Sequence, residues 1–418
     1  MEINEIRQCR ICGNPHFISI LNLRRQTLSG RFPRKEESDP PAAPLELIKC
    51  DNFDHPEACG LVQLRHSVSP DELYQKGYGY RSGINQTMRM HLNDVATKAA
   101  GFVEFEPGDV ILDIGSNDAT LLRQYNTPAS VTKLGIDAGG EQYKQYYPEN
   151  IQLICGYFNA PKYNSVTGNK KAKLITSIAM FYDLEHPLEF VKDIHDILHP
   201  EGIWVMEQSY LPKMLSTNSF DTICHEHLEY YDLHQIDWTM KKQGMRIVDV
   251  EFNDINGGSF KVSVCHEESR ILSNTENINS CLADEQNNTA QRCQPYIAFK
   301  NRVDAIKKQL ITFLESEKRK GKTIYIYGAS TKGNVLLQYF DLDTSLITAA
   351  ADRNPSKWGC RTPKTNIPII SEEDARKQKP DYFLVLPWHF KDEFIEREKE
   401  FLTGGGHFIF PLPKVEIV

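Results

Sequence analysis

Val110-Ile111-Leu112-Asp113-Ile114-Gly115-Ser116-Asn117-Asp118 is the stretch on which the reading of this chain turns. Four apolar residues around one acid predict a short buried strand, and the glycine predicts a tight turn. Thr120-Leu121-Leu122-Arg123-Gln124-Tyr125 then reads as the start of a helix. The same alternation continues downstream. KLGID (133–137), KLITSIAM (173–180) and GIWVMEQ (202–208) read as further strands separated by helix-length segments, and PDELY (70–74) reads as a helix start. After residue 320 it restarts with TIYIYGAS (323–330), TAAAD (348–352) and DYFLVLPW (381–388). Strands alternating with helices predict an α/β fold with doubly wound, mostly parallel sheets. Between the two runs, Phe299, Val303, Ile306, Leu310 and Phe313 recur at helical spacing on one face, with Lys318, Arg319, Lys320 and Gly321 suited to the helix end.

The chain of 418 residues is too long for one core. Three segments follow from the pattern: a cysteine-bearing module at 1–68, a Rossmann-like unit at 69–268, and a connecting helix with a second Rossmann-like unit at 269–418. Hydrophobic residues form 40% of the chain and charged residues 25%, which excludes a disordered or collagen-like chain. No apolar run approaches the roughly 20 residues of a membrane span. MEINEIRQCRICGN lacks the apolar segment of a signal peptide. A net charge of −8 with no long basic block argues against a nucleic-acid partner. A cytoplasmic protein is expected.

Cys9, Cys12, Cys50 and Cys59 fall within the first 60 residues. A CxxC pair joined by a second pair completes a tetrahedral thiolate shell, so structural zinc is expected. The second pair is widely spaced, and His55 between its members could replace one thiolate. Four reduced buried cysteines without metal are the alternative.

Two glycine-containing loops have opposite electrostatics. In the first, Asp113, Gly115, Ser116, Asn117 and Asp118 offer acceptors and negative charge, with Asp137 at the end of the next strand placed to receive ribose hydroxyls. A pyrophosphate would want more glycine and no acid. An ammonium and a sulfonium fit, which points to S-adenosylmethionine; a purely structural turn is the alternative. The second loop, Gly328-Ala329-Ser330-Thr331-Lys332-Gly333-Asn334, is rich in donors and suits phosphate, with Asp352 and Lys357 nearby. Its bland alternative is a helix cap with surface cations.

Cys224-His225-Glu226-His227 concentrates titratable groups after the strand GIWVMEQ. Imidazole titrates near neutrality and can take a proton from carbon or oxygen, and a carboxylate beside it can steady the charged form. On extended backbone His225 and His227 would share one face and Glu226 the other. A second metal site is the alternative.

Together these motifs resemble the C-methyltransferases that act on nucleotide-activated 4-keto-deoxyhexoses in deoxysugar biosynthesis. CRICG and CGLVQL resemble that family's zinc module, YGYRSGINQTMRMH its tyrosine-bearing entry segment, and FDTICHEHLEYYDL its catalytic stretch. YGASTKGNVLLQYF, DRNPSKWG, IPII and LVLPWHF resemble its nucleotide-sugar domain. The resemblance implies zinc on Cys9, Cys12, Cys50 and Cys59, and S-adenosylmethionine at Asp113–Asp118 with Asp137. It implies an acid/base pair at Glu226 and His227, and an active-site tyrosine at Tyr78 or Tyr80. It further implies a nucleotide-diphosphate sugar held by Ser330, Lys332, Asn334, Asp352, Lys357, Trp388 and His389. Cys224 and the Tyr182-Asp183 pair depart from the family pattern, which has tyrosine and, in some members, histidine there.

The implied chemistry is removal of the proton beside the ketone by His227 with Glu226, donation to the enolate oxygen by a tyrosine or His225, and methylation of the resulting carbanion. Methylation of a hydroxyl is the nearest rival. A binding protein without turnover and a nicotinamide enzyme are more distant ones.

Overall fold

The computed structural model describes residues 2–74, 81–288 and 293–418. Tyr78 and Tyr80 lie outside the described residues. The Val110–Ile114 strand is buried along its whole length and lies inside a seven-stranded sheet. On one side of it run Thr132–Asp137 and Ile151–Cys155, and on the other Ala172–Ile178 and Leu198–Ser209, all parallel. Ser259–His266 and Met245–Asn253 complete that edge as antiparallel strands. A parallel sheet must be covered on both faces. The helix Gln86–Ala100 covers one with Leu92, Val95 and Ala96 against Ile111, Leu174 and Val205. Val191 and Ile194 of the Pro187–Ile197 helix cover the other, against Leu112, Ile175 and Trp204.

The chain leaves Val110–Ile114 for one side of the sheet and later returns to the other. Such a reversal opens a crevice at the carboxyl ends of the strands, where ligands bind. The expected helix over 120–125 is replaced by a short 3-10 turn, Leu122–Gln124. Asn117 and Ala119 hold φ of 48° and 60°, and these left-handed residues interrupt a helix before its costly first turn is made.

The C-terminal sheet repeats the design. Ile324–Tyr327 has Ala350–Asp352 and Ile369–Ser371 on one side, and Tyr382–Val385 and His407–Phe410 on the other, all parallel. Its own reversal point faces the first across the molecule. The N-terminal sheet is antiparallel and orders Phe17–Thr27, Ala42–Cys50, Val62–Leu64 and finally Glu229–Tyr230, a strand supplied from the middle of the chain. The helix Gln294–Arg319 lies against this sheet and the C-terminal one. It buries Phe299, Val303, Ile306, Leu310 and, in place of the expected Phe313, Leu314; Phe313 is half-buried at the margin.

Candidate functional site

The four clustered cysteines converge. Their sulfurs lie within 4.8 Å of one another, with Cys9 Sγ 3.5 Å from Cys59 Sγ and Cys12 Sγ 3.5 Å from Cys50 Sγ. Gln63 Nε2 donates to Cys9 Sγ at 3.2 Å and the Leu61 N–H to Cys59 Sγ at 3.4 Å, the outer hydrogen bonds that orient thiolate ligands. Four soft donors in this arrangement fit one tetrahedral zinc ion. His55 takes no part; its ring stacks on His16 at 4.0 Å.

A cavity of about 850 Å³ opens where the two reversal points meet. One wall is built from the carboxyl ends of Val110–Ile114, Ala172–Ile178 and Leu198–Ser209. Ser330, Lys332, Lys357 and His389 form the opposite wall, and Cys224, Glu226 and His227 stand between.

On the acidic wall, Gly115 holds φ of 73°, and a Cβ there would meet Met180 Cγ at 3.2 Å, so glycine suits both the turn and the approach. Asp113 Oδ1 accepts from Thr176 Oγ1 at 2.6 Å. Burial pushes the Asp113 carboxyl up to about 7, against the pull of that bond and with help from the Asp137 charge. Ser116 and Tyr147 share a hydroxyl hydrogen bond of 2.7 Å. Asp137 accepts the N–H groups of Asn117 at 2.8 Å and Gly139 at 2.7 Å. Asp113, Gly115, Ser116, Asn117 and Asp137 line the cavity. Asp118 does not. Its oxygens are spent on Thr120 Oγ1 at 2.5 Å and the Gly83 N–H at 3.1 Å, tying the 82–84 segment to the loop.

The histidine cluster is a turn, closed by the His227 N–H donating to the Cys224 carbonyl at 3.1 Å. Turning rather than extending puts Glu226 and His227 on the cavity wall and sends His225 to the other side. There His225 Nε2 donates to the Ala43 carbonyl at 3.2 Å, and burial lowers its pKa to about 4. The expectations that His225 shares a face with His227 and that it donates to the reacting oxygen are corrected accordingly. Opposed rings also exclude a second metal site on this pair.

His227 Nδ1 donates to the Thr222 carbonyl at 2.8 Å, which fixes the tautomer and leaves Nε2 an open acceptor. Burial first, and the Lys332 ammonium second, lower the His227 pKa to about 3, so the imidazole is neutral. Burial raises the Glu226 carboxyl. The Tyr182 ring lies 4.4 Å from that of His227, and the Tyr182 carbonyl accepts the Leu228 N–H at 2.8 Å. The Leu64 N–H donates to the Leu228 carbonyl at 2.8 Å, and Arg10, inside the CxxC pair, places Nε 3.6 Å from Glu229 and 3.4 Å from Glu185. The cysteine module thus braces the turn.

On the donor-rich wall, Ser330 Oγ caps the Thr331–Phe340 helix by accepting the Gly333 N–H at 3.0 Å. Lys332 Nζ donates to the Asn256 carbonyl at 2.9 Å and Lys357 Nζ to the Ala329 carbonyl at 2.6 Å. Three residues expected here are drawn away from the cavity. Asn334 is buried and donates to the Ser29 carbonyl at 2.8 Å. Asp352 accepts the Ala329 and Asn354 N–H groups, which holds the glycine loop from behind. Trp388 Nε1 donates to Asp221 Oδ2 at 3.0 Å.

The sequence reading missed Gly30, Glu207, Gln208 and Ser209, all on the cavity wall. Glu207 accepts from His91 Nε2 at 2.6 Å and Asn253 Nδ2 at 2.9 Å. The signal was available: polar residues end an otherwise apolar strand at its carboxyl end, where ligands bind.

Three family models match in succession: "Putative zinc binding domain" over 9–74, "Methyltransferase domain" over 85–250, and "C-methyltransferase C-terminal domain" over 254–413. C-methyltransferase NovU of Streptomyces niveus is 28% identical over 424 residues, covering 100% of this chain and 98% of that protein. The three matches in succession and the full-length relative support a C-methyltransferase family. Two solved structures match it in part. A S-adenosylmethionine-dependent methyltransferase from Clostridium acetobutylicum is 14% identical, over 43% of this chain and 92% of that one, with a TM-score of 0.33. LepI in complex with S-adenosylmethionine is 14% identical, over 44% of this chain and 54% of that one, also with a TM-score of 0.33. The family models and the full-length relative make this a S-adenosylmethionine-dependent methyltransferase, and it carries a zinc-binding domain with a four-cysteine cluster. No described helix is long and apolar enough to cross a membrane.

Proposed function

We propose that this methyltransferase modifies the carbon beside the ketone of a nucleotide-activated 4-keto-deoxysugar, with His227 as the base. One observation carries the proposal: His227 is held by Thr222 in the tautomer that leaves Nε2 free, on a wall between an acidic loop and a pair of half-buried lysines. A ketone acidifies its neighbouring C–H bond, and a neutral imidazole on the cavity wall is the group to take that proton. Lys332 opposes the imidazolium in the free enzyme. A diphosphate against Lys332 and Lys357 offsets that charge, so substrate binding itself raises the basicity of His227. Glu226, beside it, supports the charged ring once the proton has moved.

Asp113, Ser116, Asn117 and Asp137 are the residues proposed to hold S-adenosylmethionine, which when bound supplies the methyl electrophile. The fit rests on their acceptor chemistry and on the buried Asp113 carboxyl, which a nearby cation stabilises in its charged form. Ser330, Lys332, Lys357 and His389 are proposed to face the nucleotide sugar. A cytoplasmic setting belongs to the same proposal, since a thiolate zinc centre is suited to a reducing compartment.

Deuterium exchange beside the ketone of nucleotide 4-ketosugars, in wild type and His227→Ala, tests the proposal. Wild type exchanges and places a labelled methyl on that carbon; H227A falls at least 10²-fold in both. Near-normal exchange in H227A removes His227 as the base, and label on oxygen removes carbon as the acceptor.

A further inference from the structure

Gln208 lines the cavity at 2% exposure, and neither Oε1 nor Nε2 of its amide has a hydrogen-bond partner among the described residues. The adjacent Glu207, on the same wall, has both oxygens engaged. Buried side-chain amides are paired as a rule, so one left open on both atoms at a cavity wall marks a contact made to a ligand.

Its place in the sheet says which ligand. Gln208 shares a face with Trp204 and Met206, the face on which Tyr182 and Tyr231 pack. Just beyond it, the Leu211 N–H donates to the Tyr231 carbonyl at 2.9 Å, so this strand end lies beside the segment that leads out of the 224–227 turn. In the sheet order its strand is two positions from Val110–Ile114 and three from Thr132–Asp137. At about 4.8 Å per strand these are roughly 10 and 14 Å. A ribose at Asp137 is out of reach, and the strand end lies beside the segment that leads out of the turn carrying His227.

The amide presents one donor and one acceptor side by side. A diphosphate offers acceptors alone and leaves half of it unpaired; the amino-acid end of S-adenosylmethionine offers both a carboxylate and an ammonium, but its cationic groups belong beside the acidic loop, two strands and roughly 10 Å away. A ketone flanked by a hydroxyl satisfies both. We propose that Gln208 reads the keto-hydroxyl edge of the acceptor sugar, with Nε2 donating to the ketone oxygen and Oε1 accepting from the neighbouring hydroxyl. When the adjacent proton leaves for His227, charge grows on the ketone oxygen and the Nε2 bond strengthens, so the contact favours the enolate over the ketone. The inference rests on the ketosugar reading above and adds the residue that recognises it.

Gln208→Leu and Gln208→Glu test it, with wild type run on the same nucleotide 4-ketosugars with and without the neighbouring hydroxyl. Expected for Q208L are an unchanged Kd for S-adenosylmethionine by calorimetry, an apo Tm equal to or above wild type, and a 10²–10³-fold loss of kcat/KM. Wild type prefers the hydroxylated sugar at least tenfold, and Q208L loses that preference. Q208E, which keeps the acceptor but sets negative charge beside the enolate, loses at least as much kcat as Q208L. Wild-type kcat/KM in Q208L overturns the inference, as does a weakened cofactor Kd or a lowered apo Tm, which would place the amide in the cofactor site or in the fold. An inactive wild type over the whole panel overturns the ketosugar reading and this inference together, whereas an active wild type with an equally active Q208L overturns the inference alone.

Discussion

Gly30→Ala adds one methyl group from the N-terminal module against the turn that carries Glu226 and His227. A Cβ at Gly30 would stand 2.6 Å from Glu226 Oε1, 3.8 Å from its Cδ and 3.9 Å from Thr331 Oγ1. The last two are ordinary contacts; the first is not. A relaxed carbon–oxygen contact needs about 3.3 Å, so Oε1 must retreat by roughly 0.7 Å. Gly30 lies outside the left-handed region, so alanine brings no backbone strain. Because the clashing atom is the tip of a flexible side chain, the fold loses little, below the usual overpacking cost of about 1–3 kcal/mol. Catalysis depends on placement far more steeply, since a misplacement of about 1 Å costs up to about 10²-fold. The expected outcome is a fall in kcat of about 10–50-fold, or about 1.4–2.3 kcal/mol, with KM for both substrates nearly unchanged. Transfer of labelled methyl gives kcat and KM, and thermal melting reports the fold. Gly30→Ala on a Glu226→Ala background supplies the control: with the carboxylate gone the added methyl meets empty space, and the double variant falls no further than E226A. Wild-type kcat in a folded G30A protein, or losses that multiply in the double variant, refutes a working role for the Glu226 carboxylate in its observed position.

Two further outcomes follow from the cysteine cluster and the acidic loop. Cys12→Ser removes one of four sulfur ligands; bound zinc, counted by metal analysis, falls from one per chain, and Tm drops because zinc binding in such modules is folding free energy. Retained zinc with an unchanged Tm contradicts the four-thiol site. Asp113, raised by burial to about 7 against an ordinary 3.8, stabilises the free protein most below about pH 4, and that contribution is lost as pH climbs toward 7. The slope is at most about 1.4 kcal/mol per pH unit. Urea midpoints between pH 4 and 8 should decline in wild type and stay flatter in Asp113→Asn; equal slopes remove Asp113 as the source.

Much of the fold was legible because its signals are local. The run from Val110 to Asp118 carries its own strand and turn, and CxxC carries half of a metal site. The same locality misled over 120–125, where apolar composition predicted a helix and the chain, after the left-handed Asn117 and Ala119, makes only the short turn Leu122–Gln124. His225 shows a subtler failure. Spacing in an extended chain pairs it with His227, but the Cys224–His227 turn reverses that parity, and the turn is set by strand pairing some 160 residues away, between Glu229 and Gln63. Asn334, Asp352 and Trp388 have the right polarity for a ligand, yet each found a protein partner that no local pattern announces. Gly30 and Gln208 stand out once the distant strands are in place, because a missing Cβ and an open amide acquire meaning from what surrounds them.

The placement of the turn also ties the cysteine module to the proposed catalytic unit. Residues 225–228 have little internal structure to hold them: one turn hydrogen bond precedes His227, and the Leu228 backbone is held from both sides by Tyr182 and Leu64. Glu229 and Tyr230 complete the N-terminal sheet, and Glu229 sits in a buried environment whose nearby guanidinium is that of Arg10, between two of the four cysteines. Burial pushes the Glu229 carboxyl up and Arg10 pulls it down. Loss of the metal frees Cys9 and Cys12, and with them the backbone that carries Arg10; the carboxyl then keeps its burial and the neighbouring Glu185 and Asp183 charges without the guanidinium that opposes them, and the turn loses its anchor on one side. Zinc far from any reacting atom can therefore govern the geometry of His227 through three residues of chain. A central segment expressed without the first 68 residues would keep the acidic loop and its fold while forfeiting the edge that Glu229–Tyr230 pairs with, so the proposed cofactor site should survive the truncation and the proposed proton abstraction by His227 should be lost with that strand.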